Sequence, residues 1–139
     1  MTRSDFQKLA IVRLSKAKLL LRHRKYDGAY YLAGYAVECA LKACLAKRTE
    51  RYEFPPPPGV VKDFYYTHSY KDLLKVAELT AQRDLDNKSN PMLEVNWGIV
   101  YQWKETRRYA SSTKTQATDL IEAIGDDPDG VLPWIKRHW

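Results

Sequence analysis

YYLAGYAVECALKACL, residues 30–45, is the stretch on which the fold turns. Only two charges interrupt it, Glu38 and Lys42. They stand four apart, so on a helix they share one face, with the acid on the N-terminal side, the better order for an ion pair. Apolar residues surround them, which predicts a helix buried on most sides and carrying a buried Glu38–Lys42 pair. Such a helix needs a surrounding bundle, a second subunit, or both. The stretch is shorter than the ~20 apolar residues of a membrane span and has charges near its middle, so no membrane partner is expected. Cys39 and Cys44 are separated by about 140° around the helix and point different ways. They read as buried reduced thiols of a cytoplasmic protein.

Working outward, residues 4–24 repeat Phe6, Ala10, Leu14, Ala17 and Leu21 at helical spacing, which predicts a first helix capped by Thr2 or Ser4. A tight turn at residues 24–28 then makes the first two helices an antiparallel hairpin, with Asp27 as the cap of the second and Lys47 or Arg48 at its end. The run Pro55 to Pro58 followed by Gly59 cannot continue a helix and predicts a long, extended surface loop at about 49–66. A third helix is expected from Thr67, as cap, to about Arg83, with a polar loop at 84–90. A fourth runs from Pro91 to about Tyr109, a fifth spans 115–124, and a short last one spans 132–139. No strand pattern or internal repeat is found. The expectation is an all-α antiparallel bundle of four to five helices, one domain over residues 1–139, with a short C-terminal helix.

The chain has 139 residues and a formal net charge of +6, unevenly placed. Eight of the 23 Lys/Arg but only one of the 17 acids fall in residues 1–25. Lys8, Lys18, Arg22 and Lys25 lie within roughly 100° of one another on the first helix, a basic ridge away from its apolar stripe. Such a patch attracts nucleic acid or an acidic partner, or is a solvated face. The N-terminus lacks the apolar run of a secretory signal. Two Cys and three His without ligand spacing predict no metal site, and six scattered glycines predict no phosphate loop. The acids of GDDPDG, residues 125–130, lack the spacing and closing Glu of a calcium loop. No cofactor is expected.

Several stretches together resemble the HEPN family (higher eukaryotes and prokaryotes nucleotide-binding domain). They are Asp27–Gly28–Ala29 with AGYAVECALKA (residues 33–43), THSYKDLL (67–74), Trp97 and Trp103 with Arg108–Tyr109, and GVLPWIKRHW (130–139). The resemblance implies a helical bundle, usually a homodimer. It also implies a range of functions. Many members are metal-independent endoribonucleases in toxin–antitoxin, defence or RNA-processing systems. Others are catalytically silent and bind RNA or a nucleotide, or partner a small nucleotidyltransferase.

Ribonuclease members carry an Arg, then four to six residues, then a His. The His takes the 2′-hydroxyl proton while a fixed cation steadies the phosphate. None of His23, His68 and His138 has an Arg at that distance. The nearest approach is Lys62 before His68, a point charge without the planar fork of arginine. Arg107, Arg108 and Tyr109 are further candidates for holding a phosphate or base, and Arg107 is also placed to stack on Trp103. The expectation is therefore a non-catalytic, dimeric RNA- or nucleotide-binding or regulatory module. The alternatives are a divergent endoribonuclease using His68 and Lys62, and a purely structural subunit of a larger assembly.

Overall fold

The computed structural model describes residues 1–52 and 67–139. Helix α1 (Arg3–Arg22) starts at a capping box. The Asp5 amide donates to Thr2 Oγ1 at 3.1 Å, and the Thr2 amide donates to Asp5 Oδ2 at 2.8 Å. Two otherwise orphaned donors are thereby satisfied, and these bonds hold the Asp5 carboxyl below its ordinary value. Thr2, not Ser4, is the cap. Phe6, Ala10, Leu14 and Ala17 form the buried stripe.

The helix ends two residues before the expected Arg24. Arg24 has φ 60, and the amides of Arg24 and Lys25 turn back to the carbonyls of Leu21 and Leu20. This is the left-handed ending that glycine usually supplies, here built on arginine.

Helix α2 (Tyr26–Tyr52) runs past the expected end at Lys47 or Arg48. It passes through the middle of the bundle and packs on α1 and four later elements. Asp27 is in its first turn rather than at its cap; the carboxylate accepts the Ser112 amide at 2.5 Å. Ala29, Ala33, Ala36 and Ala40 are fully buried, so the neighbouring helices approach its backbone closely.

The expected third helix is two helices. Helix α3 (Tyr70–Val76) is capped by Ser69, whose hydroxyl accepts the Asp72 amide at 3.3 Å. Thr67 instead accepts the Ser69 amide. Helix α4 (Thr80–Ser89) starts within the expected third helix and continues through residues 84–89, expected to be a loop. The break repeats the end of α1: Glu78 has φ 58, and the amides of Glu78 and Leu79 return to Lys75 and Leu74.

Helix α5 (Pro91–Val100) is capped by Asn90 and stops well short of Tyr109. A 3-10 turn (Glu105–Tyr109) follows. Helices α6 (Lys114–Gly125) and α7 (Val131–Lys136) complete the chain. Seven α-helices and no strand are thus found among the described residues, an all-α bundle with more and shorter pieces than the apolar periodicity implies. The core gathers Trp97, Trp103 and Trp134 with the leucines of α2, α3 and α6. None of the described helices is long and apolar enough to cross a membrane.

Candidate functional site

Glu38 sits at the middle of α2 and is 3% exposed. Its two carboxylate oxygens have different partners. Lys42 Nζ donates to Oε1 at 2.7 Å, and His68 Nδ1 lies 2.9 Å from Oε2. An acceptor-only carboxylate at Nδ1 makes that nitrogen the N–H donor. His68 Nε2 makes no hydrogen bond among the described residues and belongs to a half-exposed ring. A buried charge is thus compensated on one side by a buried ammonium and on the other by an imidazole that opens to solvent.

Aromatic side chains frame this triad. Tyr35 meets His68 edge-on at 5.9 Å and Trp103 edge-on at 5.4 Å. Burial first, then the hydrogen bond shared with the Tyr31 hydroxyl at 3.0 Å, push the Tyr35 phenol far above its ordinary value. Tyr70 stacks on Trp103 at 5.5 Å and donates its hydroxyl to the Gly34 carbonyl at 2.7 Å. Complete burial pushes its phenol well up too. Gly34 is what lets these rings reach α2, because a Cβ there would lie 2.1 Å from the Trp103 ring.

The result is a cleft of about 320 Å³ walled by His68, Tyr70, Trp103 and Tyr101, with Lys71 and Lys104 among its lining residues. A shallower recess of about 200 Å³, sharing Lys71 and Tyr101, extends it to Thr80 and Arg83. The Arg83 guanidinium lies over the Tyr101 ring at 5.1 Å, donates to the Tyr101 hydroxyl and pairs with Asp84. The Tyr101 ring and the half-exposed His68 thus share this opening with Lys71, Lys104 and Arg83.

Among the residues singled out by sequence, the structure brings Glu38, Lys42 and His68 together. Lys62 lies outside the described residues. Lys8, Lys18 and Arg22 are exposed along α1, and none of them lines the cleft. Lys25 lines a separate recess at the α1–α2 turn. Arg107 does not stack on Trp103. Its guanidinium lies 4.8 Å over Tyr30 and donates to Ser111 O and Ser112 Oγ, so it pins the loop before α6. Arg108 pairs with Glu105 at 3.4 Å and covers the exposed Tyr109, which puts the pair at the rim through Glu105 alone.

Tyr35, Lys71, Arg83, Tyr101 and Lys104 are the residues that sequence reasoning does not single out as a site. One signal was present. Tyr31, Tyr35, Glu38 and Lys42 recur at helical spacing as a polar and aromatic stripe within an otherwise apolar helix. No group of His, Cys, Asp and Glu among the described residues is arranged to hold a metal ion.

The family model described as HEPN domain matches residues 5–55, the segment that supplies α1 and α2 and hence Glu38 and Lys42. No curated protein and no solved structure matches the chain.

Proposed function

We propose that this chain, whose α1–α2 hairpin is that of a HEPN domain, is a non-catalytic module that binds a single RNA strand across the His68 cleft and its Arg83 extension. A HEPN domain goes with nucleotide- or RNA-related function. The observation that carries the finer reading is the lining of the cleft. Lys71 and Lys104, which have no salt-bridge partner among the described residues, stand beside Tyr101 and the half-exposed His68. A base stacked on an aromatic side chain gains ~1–3 kcal/mol, and each ammonium that meets a phosphate releases counterions.

The test is a salt series of single-stranded RNA binding by fluorescence anisotropy. The parent should lose affinity linearly in the logarithm of salt concentration. Lys71→Gln with Lys104→Gln should reduce that slope by about 1.4, roughly 0.7 for each lost contact. No saturable binding at low salt, or a parental slope in the double variant, removes the reading.

One observation favours a second reading, endoribonuclease chemistry. Glu38 holds His68 by Nδ1 and leaves Nε2 unpartnered, the orientation that a general base needs. Among the described residues no arginine lines the His68 cleft itself to steady the phosphate, and Arg83 lines its extension. If the second reading holds, RNA incubated with pure protein and a chelator is cut to cyclic-phosphate ends, and His68→Ala abolishes the cut.

The protein partner we propose is a second copy of the chain. Large exposed apolar side chains occur on α1 (Ile11, Val12, Leu19) and on α4 and α5 (Leu85, Met92, Val95). A two-fold contact through α1 would set Lys8, Lys18 and Arg22 against themselves. The α4–α5 face carries both signs, in Asp84, Lys88 and Glu94, and supports pairing better. Light scattering should report a dimer that Val95→Glu dissociates; an unchanged mass excludes this face.

A further inference from the structure

A second recess, sharing no residue with the His68 cleft, opens between the C-terminal part of α2, the turn joining α3 to α4, and the end of α7. Its volume is about 240 Å³, and its lining is basic: Lys47, Arg48, Arg137 and His138 against one carboxylate, Glu78. That carboxylate is already engaged. Glu78 Oε1 takes Arg48 Nη2 at 2.5 Å, and Arg48 also donates to the Val76 carbonyl, so this pair builds a wall of the recess. Lys47 and Arg137 have no salt-bridge partner among the described residues.

His138 completes the ring of donors. Its imidazole packs on Trp134 at 4.5 Å. Burial first, then Arg137 and Lys47, push it below the ordinary histidine value, while Asp86 on α4 acts the other way. It is therefore a neutral donor beside two cations. The floor is the buried Cys44 thiol, which burial pushes up to about 12, so it stays a thiol and brings no charge. Lys47 and Arg137 thus line a recess whose one carboxylate, Glu78, is held by Arg48, an arrangement that an incoming anion relieves.

We propose that this recess binds a phosphomonoester group through Lys47 and Arg137, with His138 as a neutral hydrogen-bond donor. Donors on two elements suit the several oxygens of a tetrahedral dianion better than the two of a planar carboxylate, and the arginine fork matches phosphate geometry. The volume accepts a phosphate with a small appendage and falls below the ~300 Å³ at which pockets for drug-sized ligands begin. The inference is independent of RNA binding at His68, because the two sites share no side chain.

The experiment follows the His138 ring protons by NMR while inorganic phosphate, adenosine 5′-monophosphate or adenosine is added to the full chain. Phosphate and the monophosphate should shift the His138 resonance saturably and raise its titration midpoint, since a bound anion offsets Arg137 and Lys47. Adenosine should leave it unmoved. A response to inorganic phosphate alone identifies the free ion as the occupant, and a tighter response to the monophosphate identifies an organic phosphomonoester. Lys47→Gln with Arg137→Gln should weaken binding at least about tenfold, ~1.4 kcal/mol, while His68→Ala changes nothing. A resonance indifferent to phosphate, a double variant that binds as the parent does, or adenosine binding as well as the monophosphate overturns the proposal.

Discussion

Along the α1–α2 hairpin many of the buried side chains are small. Ala10 and Ala17 of α1 and Ala29, Ala33, Ala36 and Ala40 of α2 are fully covered, and two long helices lie close together. From α3 to the 3-10 turn the buried side chains are large. Tyr70, Trp97 and Trp103 fill the space between short helices joined by left-handed or 3-10 turns. Small side chains permit close backbones over many turns and leave little surface for a ligand. Large rings hold short pieces apart, and the openings between those pieces become the His68 cleft and its extension. The hairpin contributes the charge that orients the site, in Glu38, and the aromatic half contributes its walls.

The largest effect is expected where the two regions meet. Gly34→Ala adds a Cβ 2.1 Å from the Trp103 ring, and neither α2 nor that buried ring has room to yield. Overpacking of this kind should cost about 3 kcal/mol, read by urea unfolding. Gly98 in α5 is the control, because a Cβ there meets nothing within 4 Å. Gly98→Ala should stabilise by ~1 kcal/mol through helix propensity alone. If both substitutions stabilise, Trp103 is not held against α2 and the division of the molecule into these two regions fails.

Next comes the charge inside the hairpin. Lys42→Met leaves the Glu38 carboxylate, 3% exposed, with His68 as its one remaining hydrogen-bonded side-chain partner among the described residues. Removing one member of a buried pair costs roughly 3 kcal/mol, whereas replacing both members with apolar residues costs far less. Glu38→Leu combined with Lys42→Met should therefore recover most of the loss in denaturant titrations. A single variant as stable as the parent would show that Glu38 does not depend on Lys42.

These two regions also differ in how legible they were. The alternation of small apolar residues through residues 30–45 and the four-residue step from Glu38 to Lys42 lead straight to α2 and its buried pair. The breaks after α1 and α3 were hidden, because Arg24 and Glu78 occupy left-handed positions that sequence reasoning assigns to glycine. Helix α4 was hidden because its residues are mostly polar and none of them is buried. The site itself was half legible. Glu38 and His68 stood out, but their meeting is a tertiary event across 30 positions of chain. The pairing of Lys71 and Lys104 with Tyr101 depends on where α5 stops, and no residue at Tyr101 announces that end.

Alkali should separate the regions a third way. Burial raises the thiols of Cys39 and Cys44 in the hairpin above their ordinary 9.0, and raises the Tyr70 phenol in the aromatic half above its ordinary 10.0. A raised folded-state value means that the unfolded chain ionises first. The stabilisation is full below the unfolded value and falls as pH rises through the window, by up to ~1.4 kcal/mol per pH unit for each group. Cys44 should lose its share between about 9 and about 12. Cys39→Ala with Cys44→Ala should flatten the decline from 9.0 up to about 12, so that the fall remaining above 10.0 is that of the buried tyrosine. A double variant with no fall left above 10.0 would mean that the tyrosine contributes nothing.

The smallest effect tests the joint between α3 and α4. Glycine at position 78 removes the cost of φ 58 but frees the unfolded chain and deletes a carboxylate that is 63% exposed. An exposed ion pair contributes little, so relief of the backbone should win and Glu78→Gly should stabilise by about 0.5 kcal/mol. Arg24→Gly, at the equivalent place after α1, should do the same. If position 24 behaves so and position 78 destabilises, the ion pair with Arg48 holds the joint and the break in the aromatic half is tertiary in origin. Glu78→Gly also removes the single carboxylate of the basic recess. The same variant should therefore bind phosphate more tightly than the parent, whichever way its stability moves, since the deleted charge repels the anion in either case.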